Sequence, residues 1–327
     1  HNAHRRQRQM CIRDRISTPG NDQTPSVVIT TNEAGTITSS KTFTTSSSAS
    51  SGNNTITFDT LAAGTYGNVT VVVTDAAGNA SNTLTLTSFT IETTAPSAFT
   101  VGAVTATGNT VTANYLNSTN TGVSVTVPIA NDASLDGGTI QLRMKVGNNA
   151  YANIGSAATI TNGNLGGTQA VTITDDNVEA AANYAEGGVL TFTAILTDTA
   201  GNTTTGTASG TTLTVDQDVP AITETTVIST PSNDTTPTVV ITSDEVGPIT
   251  SPSGQTLTGD TTAEATTNSV TFDTLDAGTY SNVTLLVTDA AGNPSNTLTL
   301  TEFVIDTSDP SAFTVGAVTA TGNTVTA

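Results

Sequence analysis

The sequence predicts an all-β protein made of tandem β-sandwich modules arranged as an elongated array, and three observations support this. Residues alternate with period two, as where Val69, Val71 and Val73 are interleaved with Thr70, Val72 and Thr74, the pattern of a strand with one buried face. Turn residues such as Ala77-Gly78-Asn79 recur at intervals of about ten residues. The 327 residues include 75 Thr, and β-branched Thr, Val and Ile favour strands.

The chain repeats itself at an offset of 214 residues, so that Pro96–Ala113 recurs letter for letter as Pro310–Ala327. The repeat predicts a first A module at 16–93, a B module at 94–218, a second A module at 219–307, and the start of another B module at 308–327. Modules of about 80 and 125 residues with about seven strands each favour β-sandwiches. We expect the sequence to be a fragment of a longer array.

Residues 1–15 differ in composition from the rest. They contain both His, the lone Cys and five of the eight Lys and Arg residues. No apolar segment follows the Arg cluster, which excludes a signal peptide. Back-translation of Met10–Arg15 resembles a transposon end used in shotgun library preparation. We therefore interpret 1–15 as an adapter-derived artefact, or alternatively as a disordered leader, and exclude it from the fold prediction.

The charge and residue types exclude several functions. The formal charge is −19, and beyond Arg15 there are 26 acidic but only 3 basic residues, which excludes nucleic-acid binding through phosphate contacts. No run of about 18 apolar residues predicts a membrane-spanning helix. Beyond Arg15 there is neither His nor Cys, so no Ser–His–Asp or Cys–His nucleophile can be assembled. We predict that the chain is not an enzyme.

The aromatic residues are predicted to serve packing. Phe58, Tyr66 and Phe89 recur as Phe272, Tyr280 and Phe303, and we expect the Phe rings to lie in the cores. Each Tyr is expected to form a corner, with its hydroxyl bonded to nearby backbone.

Several motifs occur together and carry a family resemblance. The first motif is a turn, Val73–Asn79, which recurs as Val287–Asn293 and, in a variant form, as Leu196–Asn202. The second is a Gly-Thr-Tyr strand start at Gly64–Tyr66. The third is an acidic joint before proline at Val215–Pro220. Together they resemble the bacterial immunoglobulin-like (Big-type) tandem repeats of large secreted surface adhesins. The B module departs from the pattern because it is longer and lacks the Gly-Thr-Tyr start.

The resemblance implies immunoglobulin-like β-sandwiches in a non-catalytic, extracellular stalk at the bacterial cell surface, with a role in cell adhesion and biofilm formation. Its partners would be neighbouring modules of the same chain and, through parts not present here, cell or abiotic surfaces. The family's joints are often stiffened by Ca²⁺.

Carboxylates are predicted to converge at the joints. In an immunoglobulin-like topology, the turns after the second and sixth strands face the preceding module. In the second A module, these turns and the joint supply Asp216, Asp218, Asp244, Glu245, Asp289 and Asn293. In the B module the corresponding residues are Glu92, Asp132, Asp136, Asp198 and Asn202. Ca²⁺ binds about six to eight such oxygens, and we expect weaker binding in the B module, whose joint is less acidic.

Two alternatives remain open. The Asp of the Asp-x-x-Gly-Asn turn often only closes its own turn. The modules could instead bind a ligand or carbohydrate, for which the extra segment of the B module, at about 151–169, is the candidate. An ice-binding Thr face is disfavoured because the repeat period is far too long.

Overall fold

The computed structural model describes residues 11–12, 15–259 and 261–316. The chain divides into two compact units, His1–Leu116 with Asn120–Val215, and Asn117–Thr119 with Asp216–Ala327. Three separate hydrophobic cores lie within 27–91, 101–215 and 222–305. The first unit contains two of these cores and the second unit contains one.

The first A module consists of short antiparallel strands in two layers. The strands are β1 (Cys11–Ile12), β2 (Ser26–Thr31), β3 (Gly35–Ser39), β4 (Ser48–Ala49), β5 (Gly52–Thr57), β6 (Gly64–Tyr66), β7 (Thr70–Thr74), β8 (Leu84–Thr85) and β9 (Phe89–Ile91). One layer has the order β1-β2-β5, the other has the order β4-β3-β7-β8, and β6 pairs with β9. A parallel bridge joins Gly20 to Ile91.

Burial in this module follows the predicted alternation. In β7, Val71 and Val73 are buried while the three residues that alternate with them are partly exposed. The outward-facing Thr suits this position because its branched side chain is stiff and its hydroxyl remains hydrated. The period-two prediction is therefore confirmed.

The B module has the same two-layer plan with longer strands. They are β10 (Val104–Gly108), β11 (Tyr115–Asn117), β12 (Asn120–Pro128), β13 (Thr139–Val146), β14 (Ala152–Asn153), β15 (Ala158–Thr159), β16 (Thr168–Thr174), β17 (Val189–Thr197), β18 (Thr203–Thr205) and β19 (Leu213–Asp216), with one helix, α1 (Asp175–Glu179). One layer has the order β10-β12-β16 and the other has the order β11-β19-β17-β13-β14; β15 also pairs with β13, and β18 pairs with β17.

Helix α1 is short and spans Asp175–Glu179. Asp175 and Asp176 lie in its first turn, where carboxylates interact favourably with the helix dipole. Asn183 has a left-handed backbone, with φ of 66°, which is incompatible with a continuing helix.

The second A module repeats the first. Its strands are β20 (Ile222–Thr226), β21 (Thr238–Ser243), β22 (Gly247–Thr250), β23 (Leu257–Thr258), β24 (Thr262–Ala263), β25 (Thr267–Phe272), β26 (Gly278–Tyr280), β27 (Thr284–Val287), β28 (Leu298–Thr299) and β29 (Phe303–Ile305). The layers are β20-β21-β25-β23 and β24-β22-β27-β28, and β26 pairs with β29. A parallel bridge joins Ser232 to Ile305, as Gly20 joins Ile91.

Two predicted segments lie largely outside the described residues. Of 1–15, the structure describes Cys11–Ile12 and Arg15, and β1 pairs with β2 as β20 pairs with β21. The predicted module start at 308–327 is described only as far as Gly316.

The aromatic residues pack as predicted. Phe272 and Phe303 are buried, with ring centroids 6.2 Å apart, and Tyr280 stacks on Phe303 at 5.2 Å. The Tyr280 hydroxyl donates to the Asp276 carbonyl at 3.0 Å, and the Tyr66 hydroxyl donates to the Ala62 carbonyl at 2.8 Å. Both tyrosine corners are thereby confirmed.

The strand order identifies the architecture. In each A module, two facing antiparallel layers are completed by a parallel bridge between the leading segment and the last strand. This is the plan of an immunoglobulin-like β-sandwich, so the all-β tandem prediction is confirmed. Among the described residues, no helix has the length and apolar character needed to cross a membrane.

Candidate functional site

One turn has the same geometry in all three modules. In each module, one carboxylate oxygen of an Asp accepts a hydrogen bond from the backbone N–H of the Asn four residues later. The other carboxylate oxygen accepts a hydrogen bond from the side-chain amide of the same Asn. The backbone distances are 2.7 Å for Asp75–Asn79, 2.8 Å for Asp198–Asn202 and 2.8 Å for Asp289–Asn293. The amide distances are 3.1, 2.9 and 2.7 Å in the same order. The Asp therefore closes the turn in every module, which was one of the two predicted roles.

A glycine brings the neighbouring turn against this one. Gly247 begins β22, and a Cβ atom added there would lie 2.0 Å from the carbonyl oxygen of Thr288, immediately before Asp289. In the B module, a Cβ on Gly138 would lie 2.4 Å from the Thr197 carbonyl oxygen. Because only glycine permits this approach, the turns after the second and sixth strands lie at one end of each sandwich, as predicted.

In the second unit, four Asp carboxylates act on the carboxyl group of Glu245. Burial raises the pKa of the Glu245 carboxyl above its ordinary value, and four neighbouring charges raise it further, in decreasing order Asp289, Asp216, Asp244 and Asp218. Asp289 is 9% exposed, whereas Asp218 and Asp244 are exposed. Asp244 also accepts the backbone N–H of Ala221 at 2.7 Å. The predicted Asp residues of this joint therefore lie close enough to Glu245 to disfavour its charged form.

Asn293 connects the turn to the incoming chain. Its side chain is fully buried, and its amide nitrogen donates to the Asp216 carbonyl at 2.9 Å as well as to Asp289. Its amide oxygen accepts the backbone N–H of Ser118 at 2.7 Å. These partners fix the orientation of the amide, so its donor end faces the carboxylates.

The sequence prediction missed the segment Asn117–Thr119, which belongs to the second compact unit. Asn117 is fully buried and its amide donates to the Ala291 carbonyl at 2.7 Å. The signal available in the sequence was the polar run Asn117–Asn120 between two strands, and such runs are usually exposed turns.

The B-module joint, within the first unit, repeats the arrangement. The Asn202 amide donates to the Glu92 carbonyl at 3.1 Å and to the Glu92 carboxylate at 2.8 Å. Asp198 is 4% exposed, so this turn is sheltered as in the second A module.

Asp132 and Asp136 belong to a short 3₁₀ turn at Ala133–Leu135 beside this joint. Asp132 caps the turn by accepting from the backbone N–H and the hydroxyl of Ser134, at 2.9 and 2.8 Å, and Asp136 ends it. The Ser134 carbonyl accepts the backbone N–H of Thr199 at 3.0 Å, so the two turns touch. The structure therefore joins Glu92, Asp198 and Asn202 directly and places Asp132 in a local capping role.

The donor chemistry of these sites suits a hard cation, because carboxylate and carbonyl oxygens are the ligands of Ca²⁺. Within the described ranges, however, no group of three or more His, Cys, Asp or Glu side chains is arranged to hold a metal ion. A cation would therefore require the exposed carboxylates of Asp218 and Asp244 to rotate inward.

Comparisons with known proteins give only distant likenesses. No family model matches the chain, and no curated protein matches it. Solved structures similar to it include a Bacteroides ovatus mixed-linkage glucan utilization locus protein, SGBP-B, in complex with a mixed-linkage heptasaccharide (14% identity, 91% of this chain, 70% of that chain, TM-score 0.20). Two titin fragments are also similar: domains A168–A170 (11% identity, 90% and 98% covered, TM-score 0.30) and the I9–I11 tandem (13% identity, 91% and 99% covered, TM-score 0.23).

These TM-scores are too low to support an argument about function. The strand order of the modules, rather than these likenesses, identifies the chain as a tandem of immunoglobulin-like β-sandwiches.

Proposed function

We propose that this chain is a non-catalytic structural segment of an extracellular bacterial surface adhesin. Its immunoglobulin-like modules would form a stalk, and Ca²⁺ would stiffen the joints between them. The partners would be the neighbouring modules of the same chain and, through other parts of the protein, cell or abiotic surfaces.

The observation that carries the proposal is the recurrence of one joint contact. The Asn202 amide holds the Glu92 carbonyl, and the Asn293 amide holds the Asp216 carbonyl in the same way. Two joints with different flanking residues share this contact, which fits a mechanical role.

Calcium enters the proposal through electrostatics. Like charges crowded around Glu245 destabilise one another unless a cation neutralises them. A bound ion would remove that repulsion and would add ligation between the joint residues and the two turns. Rotation of the exposed Asp218 and Asp244 would complete the coordination sphere together with water.

The test is thermal unfolding of the full chain with CaCl₂ or with EDTA. Calcium is expected to raise the melting temperature, because a ligand that binds only the folded state stabilises it. Asp218→Ala should remove much of this increase, whereas Asp59→Ala, an aspartate outside the predicted site, should leave it unchanged.

The outcomes separate the two parts of the proposal. Equal melting temperatures in calcium and in EDTA would refute the calcium role but would leave the structural role of the modules. An equal calcium effect in both variants would place the ion elsewhere. MgCl₂ serves as the control for a non-specific divalent effect.

A further inference from the structure

The B module contains a cleft of about 540 Å³ between two segments that extend beyond the plan of the A modules. The first is the hairpin segment 149–155, which follows strand β13. This strand has eight residues, whereas the corresponding strands of the A modules, β3 and β22, have five and four. The second is the helix segment 177–183, which includes the end of α1, the only α-helix among the described residues. Clefts that bind small molecules measure about 300–1,000 Å³.

The floor of the cleft is apolar. Met144 and Val146 of β13 and Ile154 of the hairpin segment line it, and all three are buried in the core of the B module. Such a floor offers methyl and methylene groups to the apolar face of a ligand.

The hairpin wall is held by its own polar contacts. A guanidinium nitrogen of Arg143 donates to the Tyr151 carbonyl at 2.7 Å, and the Lys145 ammonium lies 5.3 Å from the centre of the Tyr151 ring. The Asn149 amide donates to the Val146 carbonyl at 2.8 Å. The cleft is therefore preformed on this side, which lowers the entropic cost of binding.

The polar lining is dominated by amides. Four asparagines line the cleft, two on each wall with alanines between them: Asn149, Asn153, Asn177 and Asn183. An amide side chain both donates and accepts hydrogen bonds, which matches hydroxyl groups, since these also do both. Asn153 and Asn183 are exposed and can turn toward a bound molecule.

Charges of both signs border the cleft. Lys145 is the charged residue among those that line it, and the carboxylates of Asp175, Asp176 and Glu179 lie along the neighbouring helix α1. A cation and an anion would each be attracted by one of these groups and repelled by the other, so an ionic ligand meets no lining of uniformly opposite charge and a neutral ligand avoids both repulsions.

We propose that this cleft binds a small neutral saccharide, with the asparagine amides contacting its hydroxyl groups and the floor contacting its C–H face. This role goes beyond the structural function proposed above and does not depend on calcium.

The test is saturation-transfer difference NMR on the full chain. The neutral probes are glucose, galactose and N-acetylglucosamine, and the charged probes are glucuronate and glucosamine. We expect saturation transfer to at least one neutral probe and not to the charged pair. Asn153→Ala should weaken the binding of that probe by up to about tenfold, which corresponds to one net hydrogen bond.

A pair of matched tryptophan variants locates the site. Ala152→Trp fills the cleft from its exposed hairpin wall, and Ala157→Trp adds the same ring at an exposed position that does not line it. Loss of transfer in the first variant alone supports the proposal. Absence of transfer to every neutral probe, transfer to the charged probes, or unchanged transfer in Ala152→Trp would overturn it.

Discussion

At the scale of single residues, the side chain of Asn293 has more hydrogen-bond partners than that of Asp289, which precedes it in the turn motif. Asp289 closes its turn through two oxygens that both bind Asn293. Asn293 in addition holds the Asp216 carbonyl and accepts the Ser118 N–H. The side chain that connects the turn to the joint is therefore the amide of Asn293 and not the carboxylate of Asp289.

Asn293→Ala is expected to destabilise the second A module by about 1–3 kcal/mol, because it leaves buried partners without hydrogen bonds. Asn79→Ala is the matched control, since Asn79 occupies the same position in an exposed turn. Differential scanning calorimetry of the full chain measures both. Equal losses would contradict a special role for Asn293.

The crowded Glu245 predicts an unusual response to pH. Its pKa is raised above the ordinary value of 4.5, so the folded state binds a proton more readily than the unfolded state does. The charged carboxylate therefore costs stability at neutral pH, and the cost disappears as the pH falls through the raised pKa toward the ordinary value.

Glu245→Gln is accordingly expected to raise the melting temperature at pH 7 in EDTA, with the gain shrinking toward pH 4. Glu302→Gln, at an exposed position of the same module, is the control and should show no such trend. If Glu245→Gln were less stable than the parent at pH 7, the charged Glu245 carboxylate would not be destabilising, which would contradict the prediction.

At the scale of elements, close approach between strands positions the site. β22 begins against the end of β27 at a point where a Cβ would contact backbone. Gly247 does not have a positive φ. This position therefore requires glycine because a side chain would clash with the neighbouring strand, and not because of its backbone conformation. The glycine fixes how far the turn of Asp244 and Glu245 lies from Asp289.

Gly247→Ala is therefore expected to destabilise the chain by about 1–3 kcal/mol, the usual cost of overpacking. Gly278→Ala provides the control, because nothing lies within 4 Å of a Cβ added there. Thermal unfolding in EDTA compares the two. If Gly247→Ala is as stable as Gly278→Ala, the strands can separate freely and the turns are not held in place by this contact.

The elements also show what the sequence could predict. Alternating Val and Thr predicted strands such as β7, and the repeated aromatic residues predicted the corners, because both depend on local pattern. The amide direction of Asn293 depends on Ser118, which is 175 residues away, and no local pattern encodes it. Asp132 was predicted as a ligand, yet its capping of Ser134 is a purely local role that competes for the same oxygen.

At the scale of the whole molecule, the internal repeat predicted a tandem of related modules, whereas the composition predicted only the all-β class. The offset of 214 residues separates two A modules whose strand orders agree except for β23, which extends one layer of the second module. The cleft of the B module could not be predicted, because its walls are 149–155 and 177–183, and only folding brings them together. The predicted candidate segment at about 151–169 covers part of one wall and none of the other.

The joint contact has a consequence for how such a protein can change its length. Each joint combines the last residues of one module with a turn inside the next, and the turn motif recurs in every module. A recombination event that adds or deletes one A–B pair would regenerate the same contact at the new junction. Selection could then adjust the copy number of modules without a new interface having to evolve, and identical stretches such as Pro96–Ala113 and Pro310–Ala327 provide the homology for the exchange.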